Sequence, residues 1–110
     1  MSQPEFELKT LRNGSILILW LCGRLGADDG DQIERLEMEI SNQDVDHVLL
    51  DLSKLVHVGA GIMPALEHAS RKMVAGGLDV RLCLLPGDLK VHLADLARSP
   101  DISMDRRKAA

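Results

Sequence analysis

Val45-Asp46-His47-Val48-Leu49-Leu50-Asp51-Leu52 is the stretch on which the fold turns. Val48, Leu49 and Leu50 follow one another without a polar break. An extended segment of that kind shows apolar side chains on both faces, as a strand covered on both sides does. Upstream, Ile16 to Cys22 (ILILWLC) is a longer run of the same type, and downstream Leu78 to Leu85 (LDVRLCLL) is a third. Each is too short to cross a membrane and long enough for a buried strand.

The segments between them read as helices. Ile33, Leu36 and Ile40 recur at i, i+3, i+7 opposite a carboxylate-rich face, and Asp28 or Asp29 stands where a helix cap is wanted. Ile62, Ala65, Leu66, Ala69 and Met73 share one face of a second helix. Pro64 belongs in a first turn, which places that helix start near Gly59 or Ala60, and Gly76-Gly77 stops it. Leu89, Leu93 and Leu96 form the stripe of a third, with Asp88 as its cap and Ser99-Pro100 as its stop. Ahead of all this, residues 5–12 alternate, with Phe6, Leu8 and Thr10 on one side and Glu7 and Lys9 on the other. Asn13-Gly14 then signals a hairpin. The order is ββαβαβα. The first two strands should pair antiparallel and the helix-linked ones parallel. The expectation is an α/β domain: a small mixed sheet with helices mainly on one face.

At 110 residues and 12.1 kDa the chain suits one domain, 1–110, with its core over about 5–100 and a flexible tail at 101–110. Phe6 and Trp20 are the only aromatic residues, so the core is aliphatic and a base-stacking platform for single-stranded nucleic acid is excluded. The net charge of −4 argues further against nucleic acid. Charge is uneven. Residues 28–46 hold eight carboxylates against Arg35 alone, and Arg106, Arg107 and Lys108 make a basic tail. The acidic run reads first as a solvated helix face and second as a surface that steers a basic partner. Cys22 and Cys83 stand apart in apolar runs and read as reduced core thiols. With no secretory leader or membrane-length run at the start of the sequence, the expected setting is the cytoplasm, without membrane insertion.

Three stretches resemble the STAS domain, the fold of bacterial anti-sigma factor antagonists. Leu21-Cys22-Gly23-Arg24-Leu25 is similar to the family's apolar strand and Gly-x-Leu-Asp. Val48 to Leu55 is similar to its central strand and Asp-Leu-Ser exit. Val58-Gly59-Ala60-Gly61-Ile62 stands where the family has Asp-Ser-Ser/Ala-Gly-Leu. The resemblance spans residues 5–100. It implies a non-catalytic regulatory module whose partner is an anti-sigma factor or a serine-kinase-type protein. The implied docking region is Asp51, Ser53, Lys54, His57, Val58, Gly59, Ala60, Gly61, Ile62 and Met63. Departures from the family pattern carry as much meaning. The family's phosphoacceptor Ser falls on Gly59, which has no hydroxyl, its Asp falls on Val58, and a further Asp falls on Gly26. The usual phospho-switch is therefore expected to be missing, and any switch would need Ser53, Ser70 or another hydroxyl. The alternative implied by the resemblance is an accessory subunit of an anion- or lipid-transport complex, or a module binding a small ligand or nucleotide. Apolar surface on the second helix would favour a homodimer.

Bland readings stand beside these. Asp51 and Ser53 close a strand exit and serve a turn as readily as a partner. Gly59-Ala60-Gly61 suits backbone geometry far better than a phosphate cradle. His47, His57, His68 and His92 show no ligand spacing, so no metal or cofactor is expected. His57 is the one placed beside the docking loop. No catalytic set is recognisable, which makes an enzyme the minority reading.

Overall fold

The structure, a computed structural model, describes residues 5–98. The basic tail and the Ser99-Pro100 stop lie outside the described residues. Eight elements follow in order: β1 (Glu7–Asn13), β2 (Ile16–Leu25), α1 (Gly30–Ser41), β3 (His47–Asp51), β4 (Leu55–Val58), α2 (Ile62–Ala75), β5 (Asp79–Cys83) and α3 (Asp88–Arg98). The sheet is mixed and runs β1-β2-β3-β5, with β4 also paired to β2. β1 and β2 are antiparallel, and β2–β3, β2–β4 and β3–β5 are parallel, as expected of strands joined through helices.

β2 organises the molecule because both of its faces are apolar. Leu17, Leu19 and Leu21 point to one side and join Val48, Leu50, Leu36, Ile40, Ile62 and Leu66 beneath α1 and α2. Ile16 and Ile18 point to the other and meet Leu49 and Leu96 beneath α3. Two helices therefore cover one face and one covers the other. Leu19, Leu50 and Leu66 have no exposed surface. Burial of such a side chain contributes about 1.5–3 kcal/mol. α3 is also tied to the sheet by charge. Arg81 Nη1 lies 2.7 Å from Asp95 Oδ2, and Arg81 Nε lies 3.2 Å from Asp79 Oδ2, which His47 Nδ1 also meets at 2.8 Å.

Several boundaries differ from the sequence reading. The hairpin turn is Gly14-Ser15, one residue beyond Asn13-Gly14, because Asn13 already pairs with Ile16. Gly14 takes φ 63° and no other residue of the turn has a positive φ, the pattern of a Gly-first II′ turn. Asp29 precedes α1 but does not cap it. Its Oδ2 accepts from Gly26 N–H at 2.7 Å and closes the turn upstream. Asp88 does the same at α3, accepting from the N–H groups of Leu84 and Leu85. That ends β5 at Cys83 and leaves Leu84 and Leu85 exposed, where a strand to Leu85 was expected. Cys83 is buried, whereas Cys22, expected in the core, is half-buried; both are free thiols.

The largest difference is β4, a strand absent from the sequence reading. β2 does not stop at Cys22. A bulge at Gly23, with φ 88°, shifts the register and carries β2 on to Leu25. Ile16–Trp20 of β2 pair with β3, and Gly23–Leu25 pair with β4. Leu52–Lys54 is a jog between them, held by Leu55 N–H to Leu52 O at 3.1 Å and by Gly23 N–H to Lys54 O at 3.2 Å. Leu55-Val56-His57-Val58 is rich in β-branched residues, the signal that marks a short strand.

Candidate functional site

The candidate residues gather along the end of the sheet where β3 and β4 lead into α2. Asp51 closes β3, between Trp20 of β2 and Cys83 of β5. It is buried, and its Oδ1 accepts from both Ser53 N–H (2.9 Å) and Ser53 Oγ (2.6 Å). This is a strand-exit turn built by a carboxylate. The Ser53 hydroxyl is thus committed to an anion. A phosphate there would set a dianion against Asp51. Ser70 offers no alternative, because its Oγ is buried and has no hydrogen-bond partner. Burial and the nearby Asp51 push the Cys83 thiol up to about 11.

β4 pairs on one side only, with β2. Three of its four residues, Val56, His57 and Val58, are exposed. Val56 is 66% exposed and Val58 36%. His57 lies on this strand, opposite Arg24, rather than in a loop. Beyond β4 the chain passes through Gly59, Ala60 and Gly61 into α2. Gly61 holds φ 84° at the helix start with open space around it, so its role is backbone conformation. The helix begins at Ile62, two residues later than expected, and Pro64 still falls in the first turn. Ala60, Gly61 and Pro64 are exposed, Met63 is half-buried and Ile62 is buried in the core.

Gly59 is held tightly. Its N–H donates to Leu25 O at 2.7 Å, and its carbonyl accepts from Ile62 N–H at 3.2 Å. A Cβ at this position would stand 2.3 Å from Ala27 N and 2.7 Å from Gly26 C. No flexible side chain is involved, so the backbone of residues 26–27 would have to move. Gly26–Ala27 is itself fixed by the Asp29 carboxylate. The backbone-geometry reading of 59–61 is therefore, at Gly59, a backbone-to-backbone contact.

Of the ten sequence-predicted residues, Lys54, His57, Val58, Ala60 and Gly61 are exposed together along this edge. Ser53, Gly59 and Met63 are half-buried. Asp51 and Ile62 are buried. The exposed Val56 was missed. The β-branched character of Val56 and Val58 was the available signal, in a span, 53–58, to which the sequence reading assigned no element. Among the described residues no group of three or more His, Cys, Asp or Glu side chains could hold a metal. None of their helices is long and apolar enough to cross a membrane.

Neither family profiles nor curated proteins give a match to the sequence. Solved structures do. An anti-sigma factor antagonist STAS domain from Rhodobacter sphaeroides superposes with a TM-score of 0.57 at 21% identity, over 71% of this chain and 85% of its own. The anti-sigma factor antagonist SpoIIAA, unphosphorylated, gives 0.54 at 16% over 96% and 98%. The phosphorylated form of SpoIIAA, described as a Bacillus cell fate determinant, gives 0.52 at 17% over 83% of each chain. The chain also matches part of a much longer one, Mglu, with a TM-score of 0.59 at 16% identity; there it spans 67% of its own length and only 18% of the other. The fold is the STAS fold, a mixed sheet with three helices.

Proposed function

We propose that this chain is a protein-docking module of the anti-sigma factor antagonist kind, working without the phospho-switch. Its partner would be an anti-sigma factor of the serine-kinase type. The observation that carries the reading is β4 and its continuation. An edge strand with Val56 and Val58 exposed runs into Ala60, Gly61 and Pro64 at the start of α2, with no carboxylate among residues 54–64. An apolar edge of this kind fits a protein interface, where the buried centre is depleted of charge. Lys54 precedes it and His57 lies within it, both exposed.

The missing switch rests on Gly59. By the sequence resemblance the phosphoacceptor belongs at this position. Here the position lacks an oxygen and also lacks room for a Cβ. Ser53 and Ser70, the nearby substitutes, are bound to a carboxylate and buried, respectively. Docking is then constitutive, set by partner concentration rather than by phosphorylation.

The test is calorimetry of the purified chain against the kinase-type anti-sigma factor of its own host. Substituting Val56→Asp and Val58→Asp together puts two charges into the strip without touching the core. Binding should weaken at least about tenfold, the loss typical of a central interface contact, with the circular dichroism spectrum unchanged. An affinity indifferent to both substitutions would refute the docking strip.

A further inference from the structure

Across the sheet from α1 and α2, the face beside α3 is only partly covered. A trough runs along it in two lobes of about 510 and 320 Å3 that share Trp20 and Lys54. Both volumes fall within the range of small-molecule sites. Leu11 and Cys22 line one lobe, Leu89 and Leu93 the other. Three lysines stand over this apolar lining: Lys9 on β1, Lys54 in the jog and Lys90 on α3. All three are exposed, and none forms an ion pair with a described residue. The only other lysine among the described residues, Lys72, pairs with Glu37 at 2.9 Å. The one carboxylate on the wall of the trough, Asp51, is buried and has an oxygen engaged by Ser53. A chain of net charge −4 thus leaves three unneutralised cations around its only tryptophan.

We infer that this trough binds a small amphipathic anion: an apolar body laid on Trp20 and one carboxylate or phosphate head drawn to Lys54 between Lys9 and Lys90. The lobes have the volumes of small-molecule sites, and the lysines select the sign of the head. The site shares Lys54 with the proposed docking edge but not Val56 or Val58, so it is a second function rather than a detail of the first.

Trp20 is the only tryptophan and the chain has no tyrosine, so its emission reports this trough directly. The probe is sodium decanoate, kept below the concentration at which it forms micelles, titrated into the full chain at low salt. Decyltrimethylammonium, with the same tail and the opposite charge, is the control. Decanoate should give a saturable shift of Trp20 emission. Each of Lys9→Gln, Lys54→Gln and Lys90→Gln should weaken it about two- to fivefold, the range of an exposed charge pair, while Lys72→Gln should leave it unchanged. A missing or unsaturable shift, an equal response to the cation, or full binding by the triple variant would each overturn the proposal. No protein partner enters this readout, so its failure would leave the docking reading standing.

Discussion

Replacing Gly59 with Ala adds one methyl group, yet it should be among the costliest small changes in this domain. The added Cβ would stand 2.3 Å from Ala27 N and 2.7 Å from Gly26 C, whereas ordinary contacts lie at 3.4–4 Å. The overlap exceeds 1 Å at Ala27 N and is about 0.7 Å at Gly26 C, both of them backbone atoms of one peptide unit. Relief requires the 26–29 turn to retreat from β4, stretching the Gly59 N–H bond to Leu25 O, now 2.7 Å, and straining the Gly26–Asp29 contact that sets the entry to α1. Overpacking of this kind costs about 1–3 kcal/mol. For a domain of this size each kcal/mol lowers Tm by about 4–8 °C. Two controls separate the cause. Gly61→Ala meets no atom but must hold φ 84°, so it should cost about 1–2 kcal/mol through conformation alone. Gly30→Ala also meets no atom, lies in the first turn of α1 and should be neutral or stabilising. Urea and thermal denaturation followed by circular dichroism measure all three. A Gly59→Ala variant within about 0.5 kcal/mol of the parent, the usual spread of neutral surface changes, would refute the close approach and with it the steric argument against a phosphoacceptor there.

Other expectations follow from the same contacts. Ser53→Ala should cost about 1 kcal/mol for the lost hydrogen bond, and Ser53→Asp clearly more, because it sets a second carboxylate against Asp51; equal urea midpoints would contradict the strand-exit turn. With its thiol pushed up to about 11 and buried, Cys83 should resist a thiol reagent at pH 8, so the native protein should react quickly at Cys22 only and at both after urea; two fast thiols in the native state would count against the burial. Arg81 holds the Asp95 carboxyl below its usual range. That contribution is present above about pH 4 and is lost as pH falls through the lowered folded value. The stability gap between the parent and Asp95→Asn should therefore hold above about pH 4 and close as pH falls below it, and a constant gap would remove the α3 tether.

The chain declares its fold where one residue pattern has one physical solution. Ile16 to Cys22 and Val48 to Leu50 are apolar on both faces, so they had to be strands under helices, and the α1 stripe Ile33, Leu36, Ile40 is buried as its spacing implies. Boundaries were harder to read. Asp29 and Asp88 look like forward caps but bond upstream, a choice made by neighbouring backbone geometry rather than by residue type. β4 stayed hidden because four residues carry too little periodicity to declare a strand, and because Gly23 reads as a stop when it is a bulge. The role of Gly59 was half visible. The missing hydroxyl is written in the sequence, but the missing space depends on Gly26 and Ala27, more than thirty positions away. The trough was not visible at all, since Lys9, Lys54 and Lys90 come together only through the sheet and α3.

The central claim is a docking module with no phosphorylation step. Its most direct test is to incubate the chain with the proposed partner, a kinase-type anti-sigma factor of the same host, and ATP, then measure intact mass and binding affinity together. The account predicts an unchanged mass and an affinity equal before and after ATP. A mass increase of one phosphate, accompanied by loss of binding, would contradict it.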